Sequence, residues 1–498
     1  MNIKSWVAAL CAFLLVNVTI AQFSSLQPHA AVWACRWRNV NNWVLDLERI
    51  FVDRGTRSSG TNGYRWALGY VKRRVTGSWE AKRWLDWQEQ HFKHIYDFSR
   101  EVWLTSPIGE NITVQTLKYN TASNIHGIEG VLIDTRTNTT HGSACLKEQW
   151  EGIQAKGKIA IIMRGGCPLA QKVKHARDHG AIAAIIYHHV EDNTGVPGGS
   201  LGLENAGHLI PTLLTDYQSG MELNFCVRKG IQCKVRLVVD CVTETRQGTN
   251  FIVETKVGDP KSVILVGAHL DTLPLSPGMN DNGSGVAALI EIARAMREYY
   301  GFVNKVRFAF WGGYFNGRAG SEHYVSLLAE AHLDWHKFYL DIDMVGAIRP
   351  VWTVYSDTRD HKAGSRHMFK FLEINGAKPA YRHFRDSSDY VTFLKRGIPS
   401  AGLYTGSGPS IYPCHGLPCD NKRNVNSDTV FEATKAAMYM VSKLALDSSE
   451  VPPRVKPFLR SAVVNGTEPR FYGNDTVPQD SEEDRMEYLD RIEGIASF

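Results

Sequence analysis

One stretch of the chain, residues 263–286, constrains the fold more than any other. It reads VILVGAHLDTLPLSPGMNDNGSGV and starts with the apolar run Val263 to Val266. A short continuous apolar run bounded by turn residues is typical of a strand buried in a parallel sheet. A loop rich in proline and glycine follows, and the alanine-rich sequence from about Val286 to Arg297 predicts a helix. The order of strand, polar loop and helix predicts an α/β fold.

Three polar residues lie where this strand should end: His269, Asp271 and Asp281. Open α/β sheets place their sites beyond the carboxyl ends of the strands. Residues two apart on a strand share a face, so His269 and Asp271 should point to the same side. Asp281 precedes the predicted helix, where a carboxylate is favoured. A surface turn with polar caps explains a lone His-x-Asp equally well, but the complete string is more specific.

The segment of strand, HLD, loop, NDNGSG and helix resembles the co-catalytic zinc aminopeptidase family, which also contains transferrin receptor, glutamate carboxypeptidase and nicastrin. This resemblance implies a three-layer zinc-exopeptidase fold with a mostly parallel central sheet. It also implies that His269 binds one zinc, that Asp281 bridges two, and that Asp271 orients His269 from behind. The string DIDMVG, residues 341–346, matches the family strand that supplies the next ligand, Asp343. Asp341 has the same side-chain parity and is the weaker candidate.

The sequence departs from this family where the second zinc should bind. Family members typically read F-x-x-W/F-G-A-E-E-x-G-L-x-G-S, in which the first Glu is the catalytic base and the second is a ligand. Residues 308–321 read FAFWGGYFNGRAGS, so Tyr314 takes the base position and Phe315 the ligand position. A phenol with a pKa near about 10 is a poor base at neutral pH, and a phenyl ring cannot bind zinc. Glu322 lies about two helical turns beyond Phe315 and should point elsewhere.

The last family ligand of the second zinc is also altered. The family often reads P-C-Y-H-x-x-C-D, whereas residues 413–420 read PCHGLPCD. With the cysteine spacing kept, His415 takes the tyrosine position and Gly416 takes the ligand position. A slip of one residue would instead bring His415 to the metal, and both alternatives stay open. The resemblance also implies a Cys414–Cys419 disulfide.

These residues support two hypotheses about function. In the first, the chain is a catalytically inactive or impaired aminopeptidase-like binding module for a peptide or protein N-terminus or a protein partner. It would hold one zinc at most, on His269, Asp281 and Asp343, and Tyr314 would not function as a base. In the second, it is an active zinc aminopeptidase that releases N-terminal amino acids from peptides. That enzyme would hold two zincs, with His415 as a ligand or proton shuttle.

A second resemblance lies in the middle of the chain. The string GKIAIIMRGGC, residues 157–167, predicts a strand that runs into a tight turn. Together with the helical and strand patterns that follow, it resembles the protease-associated domain, a small β-rich domain inserted into many aminopeptidases of this family. The resemblance implies a lid or substrate filter, a Cys145–Cys167 disulfide and no cofactor.

Two polar segments receive no role at this point. The string RGTRSSGTNG, residues 54–63, is explained by turn chemistry, and the family has a similar link between its first two helices. The string SSD, residues 387–389, resembles a family segment near the pocket, and turn chemistry explains it equally well.

The ends and the composition of the chain predict secretion. Residues 1–21 have a basic start, an apolar stretch and small residues before Gln22, the pattern of a signal peptide. That apolar stretch is shorter than the roughly 20 residues of a membrane span, so we expect no membrane anchor.

Eight of the nine cysteines follow the predicted signal peptide, an even number that suits an oxidising compartment. Sequons at Asn111, Asn138, Asn465 and Asn474 agree with secretion, whereas Asn282 lies in the metal segment and should be bare. The net charge of +5 is small for 498 residues, so we expect no nucleic acid partner.

The same patterns divide the chain into five parts. The middle domain interrupts the peptidase-like domain, which should resume as alternating strands and helices. The predicted parts are a signal peptide at 1–21, an N-terminal helical part of the peptidase-like domain at 22–110, a protease-associated domain at 111–242, the main zinc-peptidase-like domain at 243–447, and a disordered, glycosylated tail at 448–498.

Overall fold

A computed structural model describes residues 24–456 apart from positions 136, 139–141, 192–194, 197 and 409. The predicted signal peptide and all of the predicted tail beyond residue 456 lie outside the described residues, as do the sequons at Asn465 and Asn474 and the side chain of Asn138. The described chain forms two compact units, one comprising the residues up to His94 and from Gln247 onward, the other comprising Ile95–Arg246. These borders differ by up to sixteen residues from the predicted ones at 110 and 242.

Strands and helices alternate through most of the chain. The strands are β1 Ser24–Ser25, β2 Leu85–Thr105, β3 Asn111–Ile112, β4 Val114–Thr116, β5 Ile128–Asp134, β6 Thr137–Asn138, β7 Gly142–Ser143, β8 Ile159–Met163, β9 Ala183–Tyr187, β10 Thr212–Thr215, β11 Lys234–Thr255, β12 Asp259–His269, β13 Tyr299–Tyr300, β14 Asn304–Trp311, β15 His336–Ile342, β16 Thr353–Tyr355, β17 Ala380–Arg382 and β18 Ser400–Tyr404. The α-helices are Pro28–Ala34, Trp37–Arg54, Asn62–Thr76, Trp79–Trp84, Leu169–Asp178, Tyr217–Arg228, Gly285–Met296, Ala319–Ser326, Glu330–Asp334, Arg359–Ile374, Tyr390–Leu394 and Ser427–Leu446.

The first unit contains the predicted mostly parallel sheet. Its strands follow the order β17–β16–β18–β15–β12–β14–β11. The pairs β12/β14, β12/β15, β15/β18 and β16/β17 are parallel, whereas β11/β14 and β16/β18 are antiparallel. The central position of β12 confirms the strand predicted from Val263 to Val266. The carboxyl ends of β12, β14 and β15 therefore lie side by side, and the candidate site residues follow them.

Both faces of this sheet are covered, which confirms the three-layer prediction. Ile264 and Val266 of β12 lie in one buried cluster with residues of the helices Trp37–Arg54, Gly285–Met296 and Ser427–Leu446. Alternate residues of the same strand, Val263 and Leu265, lie in a second cluster. A strand that is buried on both faces needs apolar residues at every position, which explains the continuous run VILV.

The second unit contains the predicted small β-rich domain. Its strands follow the order β11–β5–β8–β9–β10–β4, with β5, β8, β9 and β10 parallel to one another. The antiparallel strands β4 and β11 pair with β10 and β5. The helices Leu169–Asp178 and Tyr217–Arg228 belong to this unit, and two buried apolar clusters form its core.

The predicted N-terminal helical part, 22–110, is only partly helical. Residues Leu85–Thr105 form one strand of 21 residues. Around Phe92, buried and exposed positions alternate, with Phe92, His94 and Tyr96 buried and His91 and Lys93 outside. Alternation of this kind has the period of a strand, so the helical part of this segment ends at Trp84.

Both disulfides implied by the resemblance are present in the structure. Cys145 pairs with Cys167 and Cys414 pairs with Cys419, and a third bridge joins Cys226 to Cys233. Cys35 and Cys241 are buried free thiols, so the even count does not produce complete pairing. Desolvation raises the pKa of both thiols above its ordinary value, which suits inert core residues rather than metal ligands.

Candidate metal centre

Three side chains predicted as zinc ligands come together at the carboxyl edge of the first unit's sheet. His269 is the last residue of β12, Asp343 directly follows β15, and Asp281 lies in the irregular segment Met279–Ser284 before the helix Gly285–Met296. His269 Nε2 lies 3.2 Å from Asp281 Oδ1 and 3.5 Å from Asp343 Oδ1. The three residues offer ligand atoms that all lie within 4.8 Å of one another. Parallel strands explain this meeting, because neighbouring strand ends lie at one edge.

The donor set fits a metal ion. His269 Nε2 and Asp343 Oδ1 are buried and face each other at 3.5 Å without forming a hydrogen bond of good geometry. Buried polar atoms are nearly always hydrogen-bonded in native proteins. Two neighbouring buried atoms without a hydrogen bond therefore point to an ion between them. One imidazole and two carboxylates are ligands that zinc accepts. Zinc would be held here by His269 Nε2 with Asp281 and Asp343.

The electrostatics of the three groups are strongly coupled. Burial alone would lower the pKa of His269, but the nearby carboxylates of Asp281 and Asp343 outweigh it and raise that pKa well above its ordinary value. Burial would raise the pKa of Asp281, but His269 and His415 hold it below the ordinary value. In the absence of a metal the site therefore holds carboxylates stabilised by imidazolium, and a divalent cation would take the place of the proton.

Asp271 contacts His269 through its backbone carbonyl group and the loop at Tyr314 through its side chain. Its backbone carbonyl lies 3.0 Å from His269 Nδ1, and its carboxylate is 4.0 Å from the same nitrogen. The carboxylate accepts the backbone N–H groups of Tyr314 and Phe315 at 3.2 and 3.4 Å. Asp271 thus orients His269 chiefly through its carbonyl group, while its side chain positions the loop that carries the two aromatic substitutions.

Arg57, which the sequence left as part of a turn, is buried against the metal loop. Its guanidinium donates to the carbonyl groups of Leu270, Pro277 and Gly278, at 3.4, 2.6 and 3.0 Å. The neighbouring Ser58 hydroxyl donates to the carbonyl of Thr272 at 2.6 Å. Desolvation lowers the pKa of Arg57 to about 10, opposed by nearby carboxylates, so it is charged at neutral pH. The link therefore fastens both ends of the loop between His269 and Asp281.

Two further supports were not assigned from the sequence. The Ser388 hydroxyl donates to Asp343 Oδ2 at 2.7 Å, so the SSD segment does contact the site. The buried Asp420 carboxylate accepts the backbone N–H groups of Asn280 and Asp281, at 2.7 and 3.1 Å. Desolvation raises the pKa of Asp420 to about 6. The family spacing C-x-x-x-x-C-D was the one sequence signal for this residue.

Three other polar side chains near the candidate ligands form hydrogen bonds outside the metal cluster. Asp341 accepts the N–H of Tyr390 and the hydroxyl of Tyr339, both at 3.2 Å. Glu322 accepts the Thr392 hydroxyl at 3.0 Å, so it points away from the metal cluster as predicted. Asn282 is buried, and its side chain donates to the carbonyl of Ile342 at 2.8 Å. A glycan could not be attached to it in the folded chain.

Tyr314 and Phe315 pack on the imidazole of His269. The Tyr314 ring stacks on it with centroids 4.1 Å apart and planes 17° apart, and the Phe315 ring meets it edge-on at 5.5 Å. The Tyr314 hydroxyl donates to the backbone carbonyl of Ser387 at 2.9 Å. Both replaced positions thus lie at the site, and their rings cover the His269 side of it.

His415 does reach the site. Its Nε2 lies 3.1 Å from Asp281 Oδ2, the oxygen opposite the one that faces His269. The carboxylate of Asp281 therefore lies between two imidazoles, as a bridging ligand would. Burial opposes the charge on His415, but Asp281 outweighs it and raises the pKa of His415.

Comparison with known proteins supports the same interpretation of the fold. The family model of peptidase family M28 matches residues 250–441, and that of the PA domain matches residues 128–223. The probable lipoprotein aminopeptidase LpqL of Mycobacterium tuberculosis is 31% identical over 367 residues, which span 71% of this chain and 70% of that protein. An aminopeptidase of Pseudomonas aeruginosa is 29% identical over 448 residues, 83% of this chain and 82% of the other.

A solved structure of similar fold is that of BSAP, a zinc aminopeptidase from Bacillus subtilis. It superimposes with a TM-score of 0.59 at 25% sequence identity and covers 83% of this chain and 96% of its own. The match to a relative over two thirds of both chains, together with the two domain models, settles the family. This chain belongs to peptidase family M28 and carries an inserted PA domain.

Proposed function

We propose that this chain is a secreted, zinc-binding, aminopeptidase-like protein that binds the N-terminal end of a peptide or protein partner and hydrolyses it poorly or not at all. The observation that carries the proposal is the position of Tyr314. Tyr314 takes the position at which the zinc aminopeptidase family typically has its carboxylate base. Its ring stacks on His269, and its hydroxyl donates to the backbone carbonyl of Ser387. The Tyr314 side chain therefore packs on the His269 ring and offers no carboxylate to act as a base.

Other carboxylates around the cluster are committed to different donors. Asp271 accepts two backbone N–H groups, Asp389 accepts the Ser321 hydroxyl with Oδ1 while its buried Oδ2 accepts no hydrogen bond from the described residues, and Glu322 accepts the Thr392 hydroxyl. Peptide hydrolysis needs a group that takes a proton from the attacking water and returns it to the leaving amine. Loss of such a base lowers the rate by about 10² to 10⁴.

Zinc bound at His269, Asp281 and Asp343 would supply Lewis-acid polarisation of a carbonyl group. The chain's own contribution is a fixed, buried set of ligands, with Asp271 and Ser388 holding two of them in position. These properties support binding of an N-terminus without providing the proton transfer.

Secretion is supported by the signal-peptide pattern, the sequons and the three disulfides. No helix among the described residues is long and apolar enough to cross a bilayer.

The alternative is a working aminopeptidase, and His415 is the observation that favours it. Its Nε2 at 3.1 Å from Asp281 Oδ2 offers a ligand for a second zinc or a group that carries a proton. The similar proteins from Mycobacterium and Pseudomonas are named aminopeptidases. In this alternative the protein would hold two zincs, and His415→Ala would abolish its activity.

The test combines zinc content with turnover on one sample of the secreted protein. Zinc per chain is measured after purification without added metal and again after dialysis against zinc. Release of amino acids is measured on aminoacyl arylamides and unblocked peptides, and affinity by calorimetry on the same peptides with free and acetylated N-termini. We expect one zinc, binding that requires the free N-terminus, and no measurable release. Two zincs with chelator-sensitive turnover would establish the alternative instead.

A further inference from the structure

A lysine in the second unit is buried against a disulfide. Lys172 lies on the helix Leu169–Asp178, and its side chain is fully buried. Its Nζ donates to the backbone carbonyl of Ser143 and lies 3.4 Å from the Sγ of Cys145, which is bonded to Cys167. This group plays no part in the metal centre, and no motif of the peptidase chemistry explains it.

A buried ammonium group is costly unless it meets acceptors that replace water. Lys172 meets one carbonyl oxygen and one sulfur atom, and desolvation lowers its pKa to about 8. The group is therefore still mostly protonated at neutral pH. A neutral disulfide sulfur is a weak acceptor, whereas a thiolate would be a strong one. The position of this cation thus favours the reduced, charged form of Cys145.

The two sulfurs of this disulfide differ in access. Cys145 is 3% exposed, and its backbone N–H and carbonyl are held by Gln149 and Gln171. Cys167 is only half-buried and lies in the turn that leads into the helix Leu169–Asp178. An incoming thiol can therefore reach Cys167 more easily than Cys145, and in thiol–disulfide exchange the sulfur that is attacked decides which one leaves.

We propose that Cys167 is a modification site, at which a low-molecular-weight thiol exchanges with the Cys145–Cys167 disulfide while buried Lys172 stabilises the departing Cys145 thiolate. The thiol first loses its proton to solvent. Its sulfur then bonds to Cys167 Sγ, the Cys145–Cys167 bond breaks, and the bonding pair passes to Cys145 Sγ beside the Lys172 ammonium. The products are a mixed disulfide on Cys167 and a thiolate on Cys145, with no further oxidant or reductant consumed.

The positive end of the helix Leu169–Asp178 acts on the other sulfur. A helix N-terminus favours negative charge by about 0.3–1 kcal/mol at an exposed position, which would help a thiolate on Cys167 instead. Direct contact between a buried ammonium and Cys145 is a closer and less screened interaction. Because access also directs attack to Cys167, both factors make Cys145 the leaving group. A purely structural Lys172, filling space under the turn, would give no such preference.

The experiment is glutathione exchange on the full-length oxidised protein. The protein is incubated with reduced glutathione, free thiols are trapped by alkylation at a series of times, and peptides are mapped by mass spectrometry. We expect the glutathione adduct on Cys167 and the alkylated thiol on Cys145 in the wild-type protein. An adduct on Cys145 would overturn the proposal, and this result needs no variant.

Two variants on the same helix separate charge from packing. Lys172→Met keeps an unbranched side chain of similar length without the ammonium, and should slow exchange about three- to tenfold, because a leaving thiol of higher pKa departs more slowly. Lys174→Met makes the same substitution at another lysine of this helix and should leave the rate near that of the wild type. The Cys226–Cys233 disulfide of the same unit serves as internal control. Exchange in Lys172→Met at the wild-type rate or faster, with that control unchanged, would refute the role of the lysine.

Discussion

The two sides of the metal centre differ in how their residues are supported. On one side, each candidate ligand is held by a further group. The Asp271 carbonyl contacts His269, the Asp420 carboxylate accepts the backbone N–H of Asp281, and the Ser388 hydroxyl donates to Asp343. On the other side, the family's carboxylates are replaced by Tyr314 and Phe315, whose rings fill the space beside His269. The chain thus supports each of its three candidate ligands, and it packs aromatic rings at the two positions where the resemblance leads us to expect carboxylates.

Under the proposed function, this difference means that the three candidate ligands serve binding. Supporting hydrogen bonds position metal ligands and are costly to lose, and a site without use for zinc would not need them. The one exception on the altered side is His415, which touches the second oxygen of Asp281. Variants on each side can therefore test whether the two halves have separate functions.

The largest effect is expected at Asp281, which lies between the two halves. Asp281→Ala removes the carboxylate that lies within 3.2 Å of both His269 and His415. Two remaining ligands are too few for stable zinc binding, so we expect zinc content to fall below about 0.1 per chain. The measurement is metal content by mass spectrometry after gel filtration. Asp341→Asn is the matched control, because that side chain bonds to Tyr390 and Tyr339 instead. Equal zinc in the wild type and Asp281→Ala would mean that the metal binds elsewhere.

Restoring the lost carboxylates tests the altered side. The double substitution Tyr314→Glu and Phe315→Glu keeps the backbone N–H groups that Asp271 holds. With zinc present, kcat/KM for aminoacyl arylamides should rise by about 10² to 10⁴ over the wild type, the range expected for a general base. Tyr314→Phe with Phe315→Tyr keeps the aromatic packing and should give no increase. A wild-type enzyme that already matches the double Glu variant would show that the aromatic residues do not impair catalysis.

Arg57 tests whether the retained side depends on its supports. Arg57→Met removes the arginine donor from the buried carbonyl groups of Leu270 and Pro277, whereas the Gly278 carbonyl keeps the N–H of Gly283. The loss should lower the free energy of unfolding by about 2–5 kcal/mol. Zinc affinity should fall as well, because the loop between His269 and Asp281 is loosened. Urea unfolding with and without zinc measures both quantities. Arg54→Met is the control: this exposed arginine lies on the Trp66 ring, a contact of about 0.5–1 kcal/mol.

The sequence predicted the parts of the fold that follow from local patterns. The run VILV and the helix after NDNGSG could both be predicted because buried parallel strands and their helices have distinct periods. The candidate ligands His269, Asp281 and Asp343 could be predicted because each lies at the end of a strand or before a helix within a specific motif, and the structure brings the three together. These predictions needed no knowledge of contacts between distant segments.

The supports could not be predicted in the same way. Arg57 and Leu270 are 213 residues apart in sequence, and Asp420 and Asn280 are 140 apart. A glycine- and serine-rich link has the composition of a turn whether or not an arginine within it is buried. The position of His415 depended on one residue of register in a loop, which only the three-dimensional path of the Cys414–Cys419 segment decides.

The smallest effect is expected at Ser388, and it separates a positioning hydrogen bond from general packing. Ser388→Ala removes the donor to Asp343 Oδ2 and leaves the chain otherwise unchanged in volume. Loss of a supporting hydrogen bond of this kind lowers metal affinity by about 10- to 100-fold. Competition against a fluorescent zinc chelator measures that affinity. Ser387→Ala is the matched control, because its hydroxyl contacts Tyr390 and its backbone carbonyl still accepts from Tyr314. If both variants bound zinc as tightly as the wild type, Asp343 would be held by its strand alone. Only two of the three supporting contacts, those to His269 and Asp281, would then distinguish the supported side from the other.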